Sequence, residues 1–211
     1  MQATCFNCGA TATTSDHVPP MVFFPESKDV DEDHRKNLIT APACAACNNG
    51  ASADDELVAY WFASSHATNQ VAQSQIATKV LRALKRNPTL LAKFMNNLQP
   101  ATIDGVPTAA ITVDFDAINR VMARTVRGLH FARTGERLTG KLLAISPLLV
   151  VQDYRSDHWA FLDEAFRHLP WQEGPGCENP QVFRYRYVEA ERFFDLEFYE
   201  GFHVFVKPRP S

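Results

Sequence analysis

Apolar residues recur with two different periods along the chain, and together these predict an α+β fold. Between residues 74 and 98 the apolar positions follow helical spacing and are interrupted at Asn87-Pro88, which predicts two helices with a break. A further helix is predicted from Asp114 or Asp116 to about Thr134. Its inward positions are Ile118, Val121, Met122, Thr125 and Leu129.

The second half of the chain favours strands, because polar and aromatic residues alternate there. Aromatic side chains on strands can stack nucleic-acid bases, but they more often form a core. The predicted elements are a brief strand at 111–113, a strand over 142–151 broken by Pro147, a short helix near 163–168, a strand over 182–188 and a hairpin over 193–206 turning at Glu200-Gly201.

The N-terminal part predicts two strands followed by a helix. Residues 11–14 are β-prone and lead to Asp16-His17, and residues 37–42 form the returning strand. Ser52 has the form of a helix N-cap for a helix that runs to about His66. Asp54, Asp55 and Glu56 are either acids of the first helical turn or carboxylates near a site.

Four of the five cysteines form two Cys-x-x-Cys pairs, Cys5/Cys8 and Cys44/Cys47. This spacing is typical of knuckles that wrap a tetrahedral Zn²⁺. Four sulfur ligands leave no position for water, so we expect a structural zinc that replaces part of a core. Cys177 is expected to be a bystander in a Gly/Pro-rich loop.

Composition limits the class of protein. A chain of 211 residues that is 45% hydrophobic has enough apolar side chains for a packed core, and we expect a small metal domain at 1–66 and a body at 67–211. The formal charge of -3 argues against a passive nucleic-acid coat. The first 58 residues hold three basic and nine acidic side chains. With no membrane span or signal peptide in the pattern, a cytoplasmic protein is expected.

These residues together resemble the HNH endonucleases in their zinc-knuckle branch. The resemblance covers about residues 5 to 66: two cysteine pairs, the Asp16-His17 pair followed by proline, a central Asn37 and Asn48 after the last cysteine. The commonest family pattern has histidine where this chain has Asn48, and His-Asn-Asn variants share the asparagine. The resemblance implies a ββα-metal unit and a metal-dependent endonuclease.

The chemistry of phosphodiester hydrolysis assigns a role to each residue. His17 is suited to be the general base, because imidazole changes its charge near neutral pH. Mg²⁺ prefers oxygen ligands, which Asp16 and the side-chain oxygen of Asn48 would supply, with Asn49 as an alternative. The resemblance gives Asn37 an orienting role.

A basic helix face is the candidate nucleic-acid interface. Arg120, Arg124 and Arg127 lie opposite the inward positions of the helix that ends near Thr134, and they either neutralise phosphates or form an ordinary solvated face. We expect nucleic acid, with DNA favoured, as the partner, with a partner protein or homo-oligomer also open. The alternative function is a zinc-knuckle module that binds nucleic acid or protein without hydrolysis.

Overall fold

A computed structural model describes residues 3–103, 105–149, 164 and 166–209. It confirms a mixed α+β chain with antiparallel sheets and a cysteine cluster near the N-terminus. Within the described ranges, the helices are either too short or too polar to cross a membrane.

The N-terminal unit consists of two strands and two helices. Strand β1 (Thr14–His17) pairs antiparallel with β2 (Thr40–Ala43), and helices α1 (Ala45–Asn49) and α2 (Ser52–Ala63) follow. The first strand therefore ends at His17, as predicted, and starts at Thr14 rather than within the β-prone residues before it. The returning strand starts at Thr40, because Asn37 adopts a left-handed φ of 50° that is incompatible with a strand. Helix α1 is too short to show a hydrophobic period.

The long connection between β1 and β2 is attached to the rest of the molecule. It contains a 3-10 turn, Met21–Phe23. The carbonyl oxygen of Val22 accepts hydrogen bonds from Gln75 Nε2 at 3.0 Å and Lys79 Nζ at 2.8 Å, and Phe23 O accepts one from Tyr199 Oη at 2.7 Å. The connection is therefore held by both the helices and the C-terminal sheet.

The helices after α2 break where the sequence predicts. Helix α3 (Gln70–Gln75) continues through a π-helical turn, Ile76–Val80, into α4 (Leu81–Arg86), and α5 (Pro88–Asn96) begins after Asn87. The side chain of Asn87 accepts a hydrogen bond from Leu90 N at 3.1 Å, which caps α5.

A hairpin of β3 (Leu98–Ile103) and β4 (Val106–Ile111) follows α5. The predicted strand at 111–113 is therefore wrong, since β4 ends at Ile111. The hairpin has no hydrophobic alternation to reveal it, because a proline lies in each strand and its described side chains are mostly exposed.

Helix α6 (Phe115–Thr134) occupies the centre of the molecule and confirms the predicted helix. Asp114 caps it, accepting hydrogen bonds from Asp116 N at 2.9 Å and Ala117 N at 3.1 Å. It packs against α2 and β2. Gly128 lets the helix approach the chain just after His17, since a Cβ there would collide with Val18 Cγ1.

The described residues of the C-terminal half form a five-stranded antiparallel sheet. Residues 150–151 of the predicted strand and residues 163 and 165 of the predicted short helix lie outside the described residues, while 164, 166 and 167 are helical. The sheet order is β5-β9-β8-β7-β6. The strands are β5 (Leu142–Ile145), β6 (Gln172–Glu173), β7 (Phe183–Val188), β8 (Phe193–Phe198) and β9 (Phe202–Pro208), so the run at 182–188 and the hairpin over 193–206 are confirmed.

One main apolar cluster joins the N-terminal unit to this sheet. Phe62 of α2 stacks on Phe202 of β9 with ring centroids 4.0 Å apart and meets Phe198 of β8 at 5.2 Å. The cluster also contains Cys5 and Phe6. Residues on both sides of the predicted boundary at 66 thus share one core. The strand aromatics in this cluster are core side chains.

The other face of the sheet carries a charge network. Asp195, which is 2% exposed, accepts a hydrogen bond from Arg186 Nε at 2.8 Å and lies 2.9 Å from His203 Nδ1. Glu197 is paired with Arg184 at 2.5 Å. The hydrogen bond with Asp195 raises the pKa of His203 above its ordinary value, and burial acts in the opposite direction.

This network predicts a pH-dependent stability. His203→Gln should lower the melting temperature most below about pH 6.5, where the unfolded histidine is also protonated, and the difference should shrink as pH rises through the higher folded pKa. Thermal denaturation across pH 5 to 9 measures it, with the exposed His66→Gln as control. A difference that grows with pH would contradict the assignment.

Candidate functional site

The four paired cysteines converge on one point. Sγ atoms of Cys5, Cys8, Cys44 and Cys47 all lie within 4.8 Å of one another, and those of Cys8 and Cys44 are 3.6 Å apart. A tetrahedral zinc with Zn–S bonds of ~2.3 Å places its sulfurs roughly 3.8 Å apart. The spacing and the donor set therefore fit a metal ion, and the group could hold one.

Short-range backbone bonds shape the two knuckles. In the first, Cys5 N donates to Ala10 O at 2.7 Å and Gly9 N donates to Cys5 O at 3.0 Å. In the second, Cys47 N and Asn48 N both donate to Cys44 O, at 3.1 and 3.0 Å, which places this pair on the first turn of α1. Each Cys-x-x-Cys spacing thus closes a turn.

The thiols influence one another strongly. Burial acts to raise the pKa of Cys5, but hydrogen bonds from the backbone amides of Cys8, Cys44 and Asn7 outweigh it and lower the value to about 6. Burial raises the pKa of Cys47 to about 12. Opposite shifts are expected when one sulfur in a tight group becomes negative, and a bound cation relieves this repulsion. Cys177 is outside the group.

Asn48 of α1 contacts the face of β1 to which Asp16 points. Asn48 Nδ2 donates to Thr14 Oγ1 at 2.7 Å and Ser15 O at 3.3 Å. Because side chains alternate along a strand, Thr14 and Asp16 point to the same face and His17 points to the other. The half-buried imidazole of His17 thus lies at the end of β1, opposite the two candidate ion ligands.

Asp16 lies in a buried charged cluster that also includes Asp55 of α2 and Arg124 of α6. Arg124 Nη2 contacts both carboxylate oxygens of Asp55 at 2.5 Å, and Arg124 Nη1 donates to Cys47 O at 3.3 Å. The Nη1 atom also lies 3.7 Å from Asp16 Oδ2, which is buried and has no hydrogen-bond partner among the described residues. One guanidinium therefore contacts the strand, the knuckle and the helix of the unit.

Burial dominates the electrostatics of both carboxyls. It raises the pKa of Asp16 and of Asp55, although the charge of Arg124 acts in the opposite direction for each. Two ionised carboxylates beside one guanidinium leave a surplus negative charge, and Asp16 Oδ2 has no hydrogen-bond donor in the part of the chain that the structure describes. Such a buried acceptor needs a proton or a cation. The sequence leaves two roles open for Asp55, an acid of the first helical turn and a carboxylate near a site.

The prediction of one exposed basic face on α6 is wrong. Arg124 is 5% exposed and paired with Asp55. Arg120 is exposed but its Nε lies 2.8 Å from Asp54 Oδ2. Arg127 donates to Asn7 Oδ1 at 3.2 Å and Gly140 O at 2.9 Å. The acidic N-terminal unit packs on this face, so the arginines bind protein groups.

Asn37 is exposed and lies before β2. Its Nδ2 donates to Glu178 Oε2 at 2.5 Å, and the neighbouring Lys36 O accepts from Asn179 Nδ2 at 2.9 Å. The side chain thus ties the entry of β2 to the loop that precedes β7. This contact is with the body and links two segments far apart in sequence.

Comparisons with protein-family models, curated proteins and solved structures give no match for the chain. The HNH resemblance therefore rests on the residues of the sequence alone.

The Arg124 cluster predicts a large stability effect. Arg124→Met should lower the free energy of unfolding by about 3–5 kcal/mol at pH 7, because it leaves Asp55 and Asp16 buried without a counter-charge. The matched control, Arg120→Met on the same helix, should lose less than about 1 kcal/mol, since its ion pair is exposed. Urea denaturation measures both.

Acid should reduce the Arg124→Met penalty, because protonation removes the uncompensated charge from the two carboxyls, whose folded pKa values are raised. Equal losses in the two variants, or a penalty that grows in acid, would contradict the cluster's assigned role.

Proposed function

We propose that this protein is a metal-dependent endonuclease that hydrolyses phosphodiester bonds in nucleic acid, with DNA as the favoured substrate. The observation that carries the proposal is the buried carboxylate oxygen of Asp16, which has no hydrogen-bond partner among the described residues. Asp16 points to the face of β1 that Asn48 contacts through Thr14, and it directly precedes His17. A buried acceptor without a hydrogen-bond donor among the described residues, one residue along the strand from a candidate base, suits metal-assisted hydrolysis.

The residues take separate roles in this proposal. His17, half-buried at the end of β1, takes the proton from the attacking water. Asp16 and the side-chain oxygen of Asn48, which accepts no hydrogen bond from described residues, hold a divalent ion such as Mg²⁺. That ion would supply positive charge to the phosphate oxygens and the leaving group. Asn37 positions the entry to β2 through Glu178.

The four cysteines have a structural role in the proposal, holding one Zn²⁺. Four thiolates close the coordination sphere, so this ion lacks an open position for substrate or water. It ties the N-terminus to α1, which carries Asn48, and so supports the ligand set without taking part in the reaction. The proposal places the protein in the cytoplasm, where reducing conditions keep such thiols available as metal ligands.

A second candidate function is a non-catalytic zinc-knuckle module that binds nucleic acid or protein. The observation that favours it is the position of Arg124: its guanidinium lies 3.7 Å from Asp16 Oδ2, so a cationic group already faces the carboxylate. In this alternative Asp16 and Asp55 hold α6 to the N-terminal unit through Arg124, and His17 does not act as a general base.

Plasmid nicking distinguishes the two functions. With Mg²⁺ or Mn²⁺, the wild type should nick supercoiled DNA, and His17→Ala should reduce the rate at least about 100-fold, since a general base contributes 10²–10⁴-fold. Asp16→Asn should lose the metal-dependent activity while retaining the fold. The exposed His66→Ala is the matched control and should leave the rate unchanged.

Equal nicking by the wild type and His17→Ala would refute the catalytic role. Binding of DNA by a wild type that nicks neither DNA nor RNA with any divalent ion would favour the second function.

Zinc content tests the cysteine site separately. We expect about one equivalent of zinc per chain by elemental analysis. Cys44→Ser should lose it and melt on the order of 10 °C lower, because metal binding contributes directly to folding. Cys177→Ser is the matched control and should keep the metal. A folded, zinc-free wild type would contradict a structural zinc.

A further inference from the structure

Two arginines lie together at the first knuckle with neutral protein partners. Arg127 donates to Asn7 Oδ1 and Gly140 O, and Arg137 Nη2 donates to Asn7 O at 3.2 Å. Neither forms an ion pair with a carboxylate in the described ranges. Burial, followed by the charge of Arg137, lowers the pKa of Arg127. Two adjacent guanidiniums, one of them half-buried, call for a nearby anion.

The first knuckle lets the guanidinium of Arg137 approach the backbone at Gly9. Gly9 has a φ of 84°, and a Cβ at this position would collide with the guanidinium of Arg137. The glycine therefore serves both the left-handed turn after Cys8 and the close approach of a cation.

The candidate anion is the cysteine group with a metal ion bound. Four thiolates around one divalent ion carry two surplus negative charges. Asn7 lies between this charge and the arginines: its Nδ2 lies 3.6 Å from Cys47 Sγ as a donor, and its Oδ1 accepts from Arg127. The side chain thus links a guanidinium to a metal ligand.

We propose that Arg127 and Arg137 are the charge-compensating outer shell of the cysteine metal centre and that they raise its affinity for Zn²⁺. A nucleic-acid phosphate is the competing anion. It fits less well, because Arg127 is half-buried and both of its terminal nitrogens already donate to protein oxygens. The proposal depends on the cysteine site and is independent of hydrolysis.

Competition with a chromophoric zinc chelator, using the full chain and Zn²⁺ alone, measures the effect. Arg127→Gln should raise the zinc dissociation constant roughly tenfold, as outer-shell changes do. Arg137→Gln should raise it about threefold, because its side chain is exposed and screened. Arg120→Gln, on the same helix and paired with Asp54, is the control and should bind zinc like the wild type.

Lysine variants separate charge from hydrogen bonding. Arg127→Lys and Arg137→Lys keep the charge without the fork of donors and should stay within about twofold of the wild type. High salt should weaken zinc binding more in the wild type than in the double glutamine variant. If Arg127→Gln does not fold, Arg137→Gln still tests the proposal, because Arg137 is exposed and its replacement should leave the fold intact.

Unchanged zinc affinity in the glutamine variants would overturn the proposal. Equal losses in the lysine and glutamine variants would also overturn it, since hydrogen bonding and not charge would then be responsible. Unchanged zinc affinity with weakened binding of a DNA oligonucleotide would assign the pair to phosphate.

Discussion

The buried guanidinium of Arg124 is the contact on which the arrangement of the site depends. It binds Asp55 of α2, donates to the Cys47 carbonyl oxygen of α1, and lies near Asp16 of β1. None of these three elements is long enough to be stable alone. Because the arginine belongs to α6, the central helix of the body is also part of the wall of the candidate site.

Charge complementarity explains why the N-terminal unit packs where it does. Its first 58 residues carry a surplus of acidic side chains, and α6 presents Arg120, Arg124 and Arg127 toward it at helical spacing. Arg120 and Arg124 pair there with acidic side chains of α2, while Arg127 donates to neutral groups. A nucleic-acid substrate would then have to be held by other basic groups or by the bound ion, since this helix face is already in use.

The two proposed metal sites place opposite demands on the protein. The cysteine group is a closed set of soft donors that brings knuckles 36 residues apart together. The Asp16 site has a carboxylate oxygen that receives no hydrogen bond from the described residues, which is unfavourable for stability. Buried negative charge lowers stability, but a proposed function for Asp16 would explain why it is kept. The apolar core offsets this loss, and a metal ion held by the cysteine group would offset it further.

The sequence by itself determined the elements with a local physical signal. Helix α6 and the break at Asn87-Pro88 follow from periodicity and capping, the β7 and β8–β9 strands follow from alternation, and the cysteine group follows from its spacing. Only the tertiary structure decided what each charged side chain meets. The burial of Arg124 and the contact of Asn37 with Glu178 could not be predicted. Contacts between segments far apart in sequence leave no periodic signal in the sequence. For the same reason, Asp55 could be recognised as part of the buried cluster only after α6 was in place.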